Sequence, residues 1–501
     1  MTLPRPLSPD EILLRPARTH GWRRRVGLPS LRLSISERRL LLCLGDLAVI
    51  EGALLLALVA HFGLETLPQH ALRSLTWFLT LAVVWCAWAV FFDVYNLARA
   101  ANSWNSARAA ASAAVLAVFT YALVPWLTPA FGAREPLFLF LAASALGMAG
   151  WRSFYSLLFR QPWFKQRVLI VGAGHAGRSL VAALRTEPEA GDTANPFREA
   201  GCQITGLIDD NPALRDRAVA GIAVVGGRND LPRLAHSLAI DEIVLAITHR
   251  HTIDVALFDA ILRCREMGIR FSTMPVFYER LLGRVPVEHI GQDLHLVMPM
   301  HETAGDRLSR GAKRAADVLG ALVGLVLLAM LIPPLLVANR LTSPGPLFYR
   351  QTRIGRGGKP FICLKFRSMS PDAEKETGAV WATKDDQRVT PVGRILRSTR
   401  LDELPQCVNV LAGEMSLIGP RPERPEFVEA LAQTLPFYRA RHAVRPGITG
   451  WAQVRHPYAN THEDARIKLE YDLFYVAHVN LWLDMSIMVK TLAEIVKFRG
   501  I

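Results

Sequence analysis

The sequence predicts a membrane protein of mixed α and α/β build. It would hold a four-helix transmembrane bundle, a Rossmann-like α/β domain, and a re-entrant membrane helix attached to a small α/β domain. Three observations predict this. Four apolar runs, near 40–62, 75–95, 109–131 and 136–158, each approach the ~20 residues that cross a bilayer as a helix. A strand-like stretch runs into Gly172, Gly174 and Gly177. A fifth apolar run, Val318–Ala338, contains Pro333-Pro334 and opens onto a segment of unmixed positive charge.

Composition agrees. The 501 residues are 51% hydrophobic and carry a net charge of +14. That balance favours an anionic partner: acidic lipid, phosphorylated substrate or nucleic acid. The six cysteines, Cys43, Cys86, Cys202, Cys264, Cys363 and Cys407, form no CxxC pair. A zinc site or disulfide framework is therefore not expected, and a reduced, cytoplasm-facing protein fits. The long basic N-terminus does not resemble a cleaved signal peptide.

Residues 1–39 read as a basic cytoplasmic segment and 40–160 as the bundle. Nine arginines lie in residues 1–40. Arg99 and Arg108 mark the second loop, and Arg160, Lys165 and Arg167 follow the fourth run. The positive-inside rule places the N-terminus and everything after residue 160 in the cytoplasm. The basic N-terminus then reads as a topology signal, and nucleic acid is not expected as a partner. Asp46 and Glu51 lie inside the first run, where charges face a helix bundle rather than lipid.

The middle domain spans roughly 163–300. Its opening strand, glycine loop and helix form the context a dinucleotide site requires. Gly172, Gly174 and Gly177 are candidate nucleotide-binding residues, because glycines let backbone approach a pyrophosphate at a helix N-terminus. Further strands are expected at Ile204–Ile208, Ile222–Val225, Glu242–Ala246 and Ile269–Ser272. The acidic residue due about 20 positions on falls at Glu187-Pro188-Glu189, a loop-like stretch, with Asp209 and Asp210 later still. A nucleotide-binding module and a ligand-free assembly module both remain open. A nicotinamide-dependent nucleotide-sugar enzyme is the rival function, but none of the nine tyrosines has a lysine four positions on.

Lys313 and Arg314 precede the fifth run, and Arg340, Arg350 and Arg353 follow it, so both flanks read as cytoplasmic. A helix near 316–340 that enters the inner leaflet, breaks at the two prolines and returns satisfies both signals. Arg340 to Arg367 then carry seven basic residues and no acidic one. A hairpin turning at Gly355, Gly357 and Gly358 would present Lys365 and Arg367 toward one site.

Asp402 and Glu403 follow, at the expected start of a helix ending near Gly413, since proline at 405 is tolerated only in a first turn. Aligned peptide dipoles would keep Asp402 ionised and attract a substrate phosphate. An ionised aspartate beside phosphate is a candidate nucleophile. Two adjacent carboxylates near a diphosphate are also a plausible Mg²⁺ site.

Lys365-Phe366-Arg367-Ser368-Met369, Leu401–Gln406, Gly419-Pro420-Arg421-Pro422 and Arg445–Gly450 together resemble the bacterial sugar transferases, monotopic polyprenyl-phosphate phosphoglycosyl transferases. The resemblance covers about 307–501, the expected catalytic domain, and the whole layout is similar to the family's long forms. It implies transfer of a sugar 1-phosphate from a UDP-sugar, glucose or galactose by preference, to undecaprenyl phosphate with release of UMP. The implied mechanism is ping-pong through a phosphosugar on Asp402, with Glu403 assisting and Mg²⁺ as cofactor. Lys365, Arg367, Arg421 and Arg445 would hold phosphates. The product would initiate exopolysaccharide, capsule or O-antigen. A homodimer is expected, built on the middle domain, and an inactive assembly scaffold is a further alternative.

Pro333-Pro334 stands where many relatives have Ser-Pro. Cys407 reads as core, without an activating histidine nearby. Asp472 and Tyr475 are candidates for shaping the sugar end or for structural roles. Residues 481–498 read as an amphipathic surface helix.

Overall fold

The computed structural model describes residues 35–63, 65, 75–92, 94–95, 103–124, 128–129, 134–159, 166–185, 202–215, 217–247, 254–289, 304–370, 388–456 and 461–496. Residues 1–34 of the basic N-terminal segment and Glu187-Pro188-Glu189 lie outside them. The chain divides into two compact units, Met1–Leu282 and Gly283–Ile501.

In the first unit four helices come first: α1 (Ile35–Phe62), α2 (Leu75–Phe91), α3 (Ser103–Ala122) and α4 (Arg134–Phe159). They share one apolar core, with Leu54 and Leu58 from α1, Trp85 from α2, Ala114 and Tyr121 from α3, and Phe140 and Met148 from α4. The third helix starts earlier than its apolar run and also ends earlier, since Pro125 and Pro129 follow its last turn. α1 and α4 are long and apolar enough to cross a membrane, whereas α2 is apolar but has 17 residues. At 1.5 Å per residue α2 is about 26 Å long, just short of a typical hydrocarbon core. Asp46 on α1 pairs with Arg152 on α4, both fully buried, and Arg152 also donates to the Val94 carbonyl at 2.9 Å. Glu51 Oε2 is buried with no hydrogen-bond partner among the described residues.

The α/β part of this unit holds a six-stranded sheet: β1 (Gln166–Val171), β2 (Cys202–Ile208), β3 (Ala218–Val219), β4 (Ile222–Gly226), β5 (Glu242–Leu245) and β6 (Arg270–Thr273). The spatial order is β3-β4-β2-β1-β5-β6, parallel except for β3 at the edge. Without β3 this is the third-second-first-fourth-fifth order of a doubly wound sheet. Helices α5 (His175–Arg185), α6 (Leu231–Ser237), α7 (Val255–Glu266) and α8 (Met274–Leu282) complete the unit, with a separate apolar core on each sheet face. The glycine loop lies between β1 and α5. Gly172 has φ 108°, and a Cβ on Gly177 would fall 2.0 Å from the Gly172 carbonyl oxygen. Asp209, just past β2, accepts the Ala173 N–H at 2.7 Å, so the acid nearest this loop comes from the late position.

The second unit is built on α9 (Ala304–Thr342), whose helical path continues unbroken through Pro333 and Pro334. The expected break is absent as an interruption of the helix. Two amide donors are lost at the prolines, while Leu328, Ile332 and Leu335 pack with Phe366 and Leu396 and hold those turns. One face of α9 is exposed and apolar, including Leu319, Leu322, Val326, Met330 and Val337. The opposite face packs on the rest of the unit. Lys313 bonds Asp484 at 2.8 Å, and near the other end Asn339 accepts from Arg367 at 2.6 Å.

Then come the antiparallel pair β7 (Phe348–Ile354) and β8 (Pro360–Phe366), α10 (Pro391–Ser398), a 3₁₀ turn Leu401–Gln406, and α11 (Cys407–Ala412). β9 (Ser416–Ile418), α12 (Pro425–Thr434) and β10 (Gly447–Thr449), parallel to β9, follow. The unit closes with α13 (Trp451–Arg455), α14 (His462–Ala477) and α15 (Leu481–Val496). α15 exposes Leu481, Trp482, Met485 and Leu492 and buries Ile487 and Asp484, so its exposed face is apolar rather than the polar face of the expected amphipathic helix.

Candidate active site

The segment carrying Asp402 and Glu403 starts abruptly. Arg400 adopts φ 57°, the left-handed region, and turns the chain from α10 into the 3₁₀ helix. Pro405 has no amide to donate, which suits a tight first turn before α11. Gly413, at φ 82°, ends α11 where expected. Two contacts fix this segment against its neighbours. A Cβ on Gly324 would lie 2.4 Å from Cys407 Sγ, so α9 admits Cys407 only because residue 324 lacks a side chain. Asn409, 3% exposed, accepts the Leu364 N–H at 3.1 Å and donates to the Ile362 carbonyl at 2.7 Å. It binds α11 to β8 as a strand neighbour would. Cys407 is core, and burial raises its thiol pKa.

β8 thereby delivers Lys365. Its Nζ donates to Glu403 Oε1 at 2.8 Å, and Arg421 Nη2 donates to the same oxygen at 2.7 Å. Glu403 is 6% exposed. Arg421 comes from the loop after β9, which lies against the loop before β10. Gly447 N–H donates to the Pro420 carbonyl and Gly419 N–H to the Thr449 carbonyl, both at 2.9 Å. A Cβ on Gly447 would sit 2.1 Å from Gly419 N, and one on Gly450 2.2 Å from the Gly419 oxygen. Glycine is needed there for close backbone approach.

The two carboxylates differ electrically. Burial and the Glu403 charge push Asp402 up to about 6, against the pull of Lys365, Arg397 and Arg421. This reverses the expectation of a dipole-depressed Asp402. A single 3₁₀ turn has little dipole, and burial beside a like charge outweighs it. Glu403 is more deeply buried, yet the Arg421 and Lys365 charges and hydrogen bonds overcome that burial and hold it well below the usual carboxylate range.

The four cations named from sequence do not converge. Lys365 and Arg421 meet at Glu403. β8 ends at Phe366, so strand alternation does not carry Arg367 to the same site. Arg367 turns to the C-terminal end of α9, bonding Asn339 Oδ1 and the Ser343 carbonyl, where a helix leaves acceptors unpaired. Arg445 makes no side-chain hydrogen bond or ion pair among the described residues. Burial and the neighbouring Arg314 and Arg356 charges lower its pKa. Arg314 itself caps α11 through the Val410 and Leu411 carbonyls, at 2.7 and 3.0 Å.

Asp402 makes no side-chain hydrogen bond among the described residues, and Glu403 uses only Oε1 in those bonds. The Asp402 carboxylate and Glu403 Oε2 remain as oxygen donors. One or two carboxylates with water and substrate phosphate is a usual Mg²⁺ environment, so the pair fits that ion.

Residues 308–498 match the family model described as bacterial sugar transferase. Residues 90–271 match one described as a CoA-binding domain. A UDP-N-acetylgalactosamine-undecaprenyl-phosphate N-acetylgalactosaminephosphotransferase of Aeromonas hydrophila is 43% identical over 239 residues, 48% of this chain and 55% of that protein. A UDP-glucose:undecaprenyl-phosphate glucose-1-phosphate transferase of Klebsiella pneumoniae is 33% identical over 331 residues, 65% of this chain and 67% of that protein. An exopolysaccharide production protein of Rhizobium leguminosarum bv. phaseoli is 38% identical over 194 residues, 38% of this chain and 97% of that protein. The chain belongs to the bacterial sugar transferase family. Its match spans about half the length of the Aeromonas relative.

In this member of the family, four residues near the pair escaped sequence reasoning. Arg397 bonds Ser368 Oγ at 2.9 Å and its charge acts on Asp402. Only a cation on the helix just before the pair hinted at this. Asn409 and Arg441 gave no signal, because the contacts that place them, Asn409 with Leu364 and Ile362 and Arg441 with Asp472, span 31 to 47 residues of sequence. Tyr438 is likewise visible only through Arg441, whose Nη1 donates to its hydroxyl at 2.7 Å. Asp472 and Tyr475 are buried: Asp472 pairs with Arg441, and the Tyr475 hydroxyl shares its one hydrogen between the Ile418 carbonyl at 3.1 Å and Asp484 at 2.7 Å.

Proposed function

We propose that this protein transfers a sugar 1-phosphate from a UDP-sugar to undecaprenyl phosphate, releasing UMP, and so initiates an exopolysaccharide, capsule or O-antigen unit. The observation that carries this reading is the division of labour at residues 402 and 403. Glu403 is neutralised by two cations, while the adjacent Asp402 carboxylate has no hydrogen-bond partner among the described residues and stands within their field. The relatives' names support the substrate classes, and they include both a hexose and an N-acetylhexosamine donor.

In this reading an Asp402 carboxylate oxygen attacks the phosphorus bonded to the sugar. An O–P bond forms, the bond to the uridylyl phosphate breaks, and UMP leaves with the electron pair. A polyprenyl phosphate oxygen then attacks the same phosphorus and regenerates Asp402. Lys365 and Arg421 stabilise charge on the phosphate in flight, beside Glu403. Arg445 is available to a further phosphate. Mg²⁺ held by Asp402 and Glu403 Oε2 would neutralise charge on the diphosphate. The exposed apolar face of α9, with both ends bonded to the same unit, supports a helix that lies embedded in the inner leaflet with both flanks on one side, without the break expected at the prolines. That arrangement, with the basic flanks, supports a cytoplasmic catalytic unit at the bacterial inner membrane. A nucleotide at Gly172, Gly174 and Gly177 and a homodimer through that domain belong to the same proposal.

A panel of UDP-sugars read by UMP release tests the reading. One donor is expected to release UMP, and Asp402→Ala to abolish the release. Mass spectrometry of enzyme mixed with donor alone is expected to find a phosphosugar on Asp402. UMP release at the normal rate from Asp402→Ala would overturn the mechanism.

A further inference from the structure

The loop that supplies Arg421 is held from behind by a buried ion pair. Asp472 on α14 is 2% exposed and Arg441 is 6% exposed. Arg441 Nη2 donates to Asp472 Oδ2 at 2.6 Å and also to the Arg421 carbonyl oxygen at 3.0 Å. Nη1 donates to the Tyr438 hydroxyl at 2.7 Å. The next carbonyl, of Pro422, accepts from Arg353 at 3.1 Å. Two successive carbonyls of one loop are therefore each held by a guanidinium.

The local sequence explains why those carbonyls matter. Pro420 fixes its own φ, and Pro422 confines Arg421 to extended backbone. Little backbone freedom is left at Arg421 beyond the exact direction of its carbonyl. A donor on that carbonyl sets where the Arg421 side chain begins, and its guanidinium ends on Glu403. A buried ion pair is weak evidence for stability, since desolvation offsets its attraction. It gives fixed geometry instead.

We infer that Arg441, oriented by Asp472, is a positioning residue for the active pair: it aims Arg421 at Glu403. The inference rests on the proposed phosphosugar mechanism. Its expected signature follows from geometry: an Arg421 no longer aimed at Glu403 aligns the reacting phosphate less well, so turnover falls while KM for the UDP-sugar holds.

The test uses the full-length protein with Arg441→Gln, Arg441→Lys, Asp472→Asn and Tyr438→Phe. Two quantities are measured: kcat and KM of UMP release, and hydrogen exchange at the Arg421 and Glu423 amides. Arg441→Gln and Asp472→Asn are expected to lower kcat about tenfold with KM little changed and to speed exchange at both amides. Arg441→Lys is expected to recover part of kcat, since an ammonium keeps charge but not the fork geometry. An unchanged kcat with only a lower unfolding temperature would overturn the inference. If the charge variants do not fold, Tyr438→Phe carries the test, with a smaller loss of kcat expected and no loss overturning it. If the wild type releases no UMP with any donor, the functional reading falls. The exchange measurement then decides the inference, and unchanged exchange at Arg421 overturns it.

Discussion

Asp402 and Glu403 are adjacent in the chain, yet their carboxylates lie on opposite sides of the ordinary range. Glu403 takes the two nearest cations. Asp402 is left partly buried beside a fixed negative charge. The proposed nucleophile therefore titrates near the working pH, while its neighbour stays ionised below it.

The pH dependence follows in sign. Asp402 attacks only when deprotonated, so phosphosugar formation is expected to rise with pH through about 6 and to fall below it. Glu403→Gln removes the like charge and is expected to move that limb to lower pH, even as the rate falls. Rapid-quench measurement of UMP release between pH 5 and 8 reads both effects.

Lys365 and Arg421 share one acceptor, so removing either leaves a buried carboxylate half-compensated. Lys365→Met is expected to lower stability by roughly 3 kcal/mol, the lower end for breaking a buried pair, since Arg421 remains. UMP release is expected to drop at least tenfold. Thermal unfolding in detergent and a donor assay check the two parts separately.

Arg367 serves the end of α9, so its loss has a different signature. Arg367→Ala is expected to weaken unfolding resistance by about 1 kcal/mol, since the Asn339 and Ser343 acceptors it leaves are only half-buried and can take water. The KM for the UDP-sugar is expected to hold. A KM raised tenfold would instead assign Arg367 to substrate phosphate.

The topology proposal concerns Ser343, just past α9. With the native cysteines replaced, Ser343→Cys is expected to resist an impermeant thiol reagent in intact cells and to react after lysis. Labelling from outside would mean that α9 crosses the membrane.

In the four-helix part, Asp46 and Arg152 are fully buried partners. Asp46→Asn or Arg152→Gln alone is expected to cost roughly 3–5 kcal/mol, because each strands an uncompensated group. The double substitution Asp46→Leu with Arg152→Leu is expected to cost less than either. Unfolding of the purified protein in detergent compares the three.

Much of this protein was legible in the sequence because it depends on local pattern. The β strands of the middle sheet follow from short apolar runs between turn residues. The end of α11 follows from a glycine that tolerates positive φ, and the β7–β8 hairpin from Gly357 and Gly358. The candidate nucleophile was legible because Asp402-Glu403 sits in an unusual run with a proline and a basic approach. Tertiary structure decided which charges meet. Strand alternation predicted Lys365 and Arg367 together, but β8 ends between them, and the end of α9 offered acceptors to Arg367. Arg445 was grouped with the pair by sign and motif, yet it faces other arginines. The charge state of Asp402 was also beyond sequence. A helix start predicts a low value, whereas burial and a like-charged neighbour raise it, and both depend on packing. Local pattern therefore fixed the elements and the reactive residue types. Contacts between segments tens of residues apart decided which cation serves which carboxylate, because Coulomb and desolvation energies depend on distances that chain order does not encode.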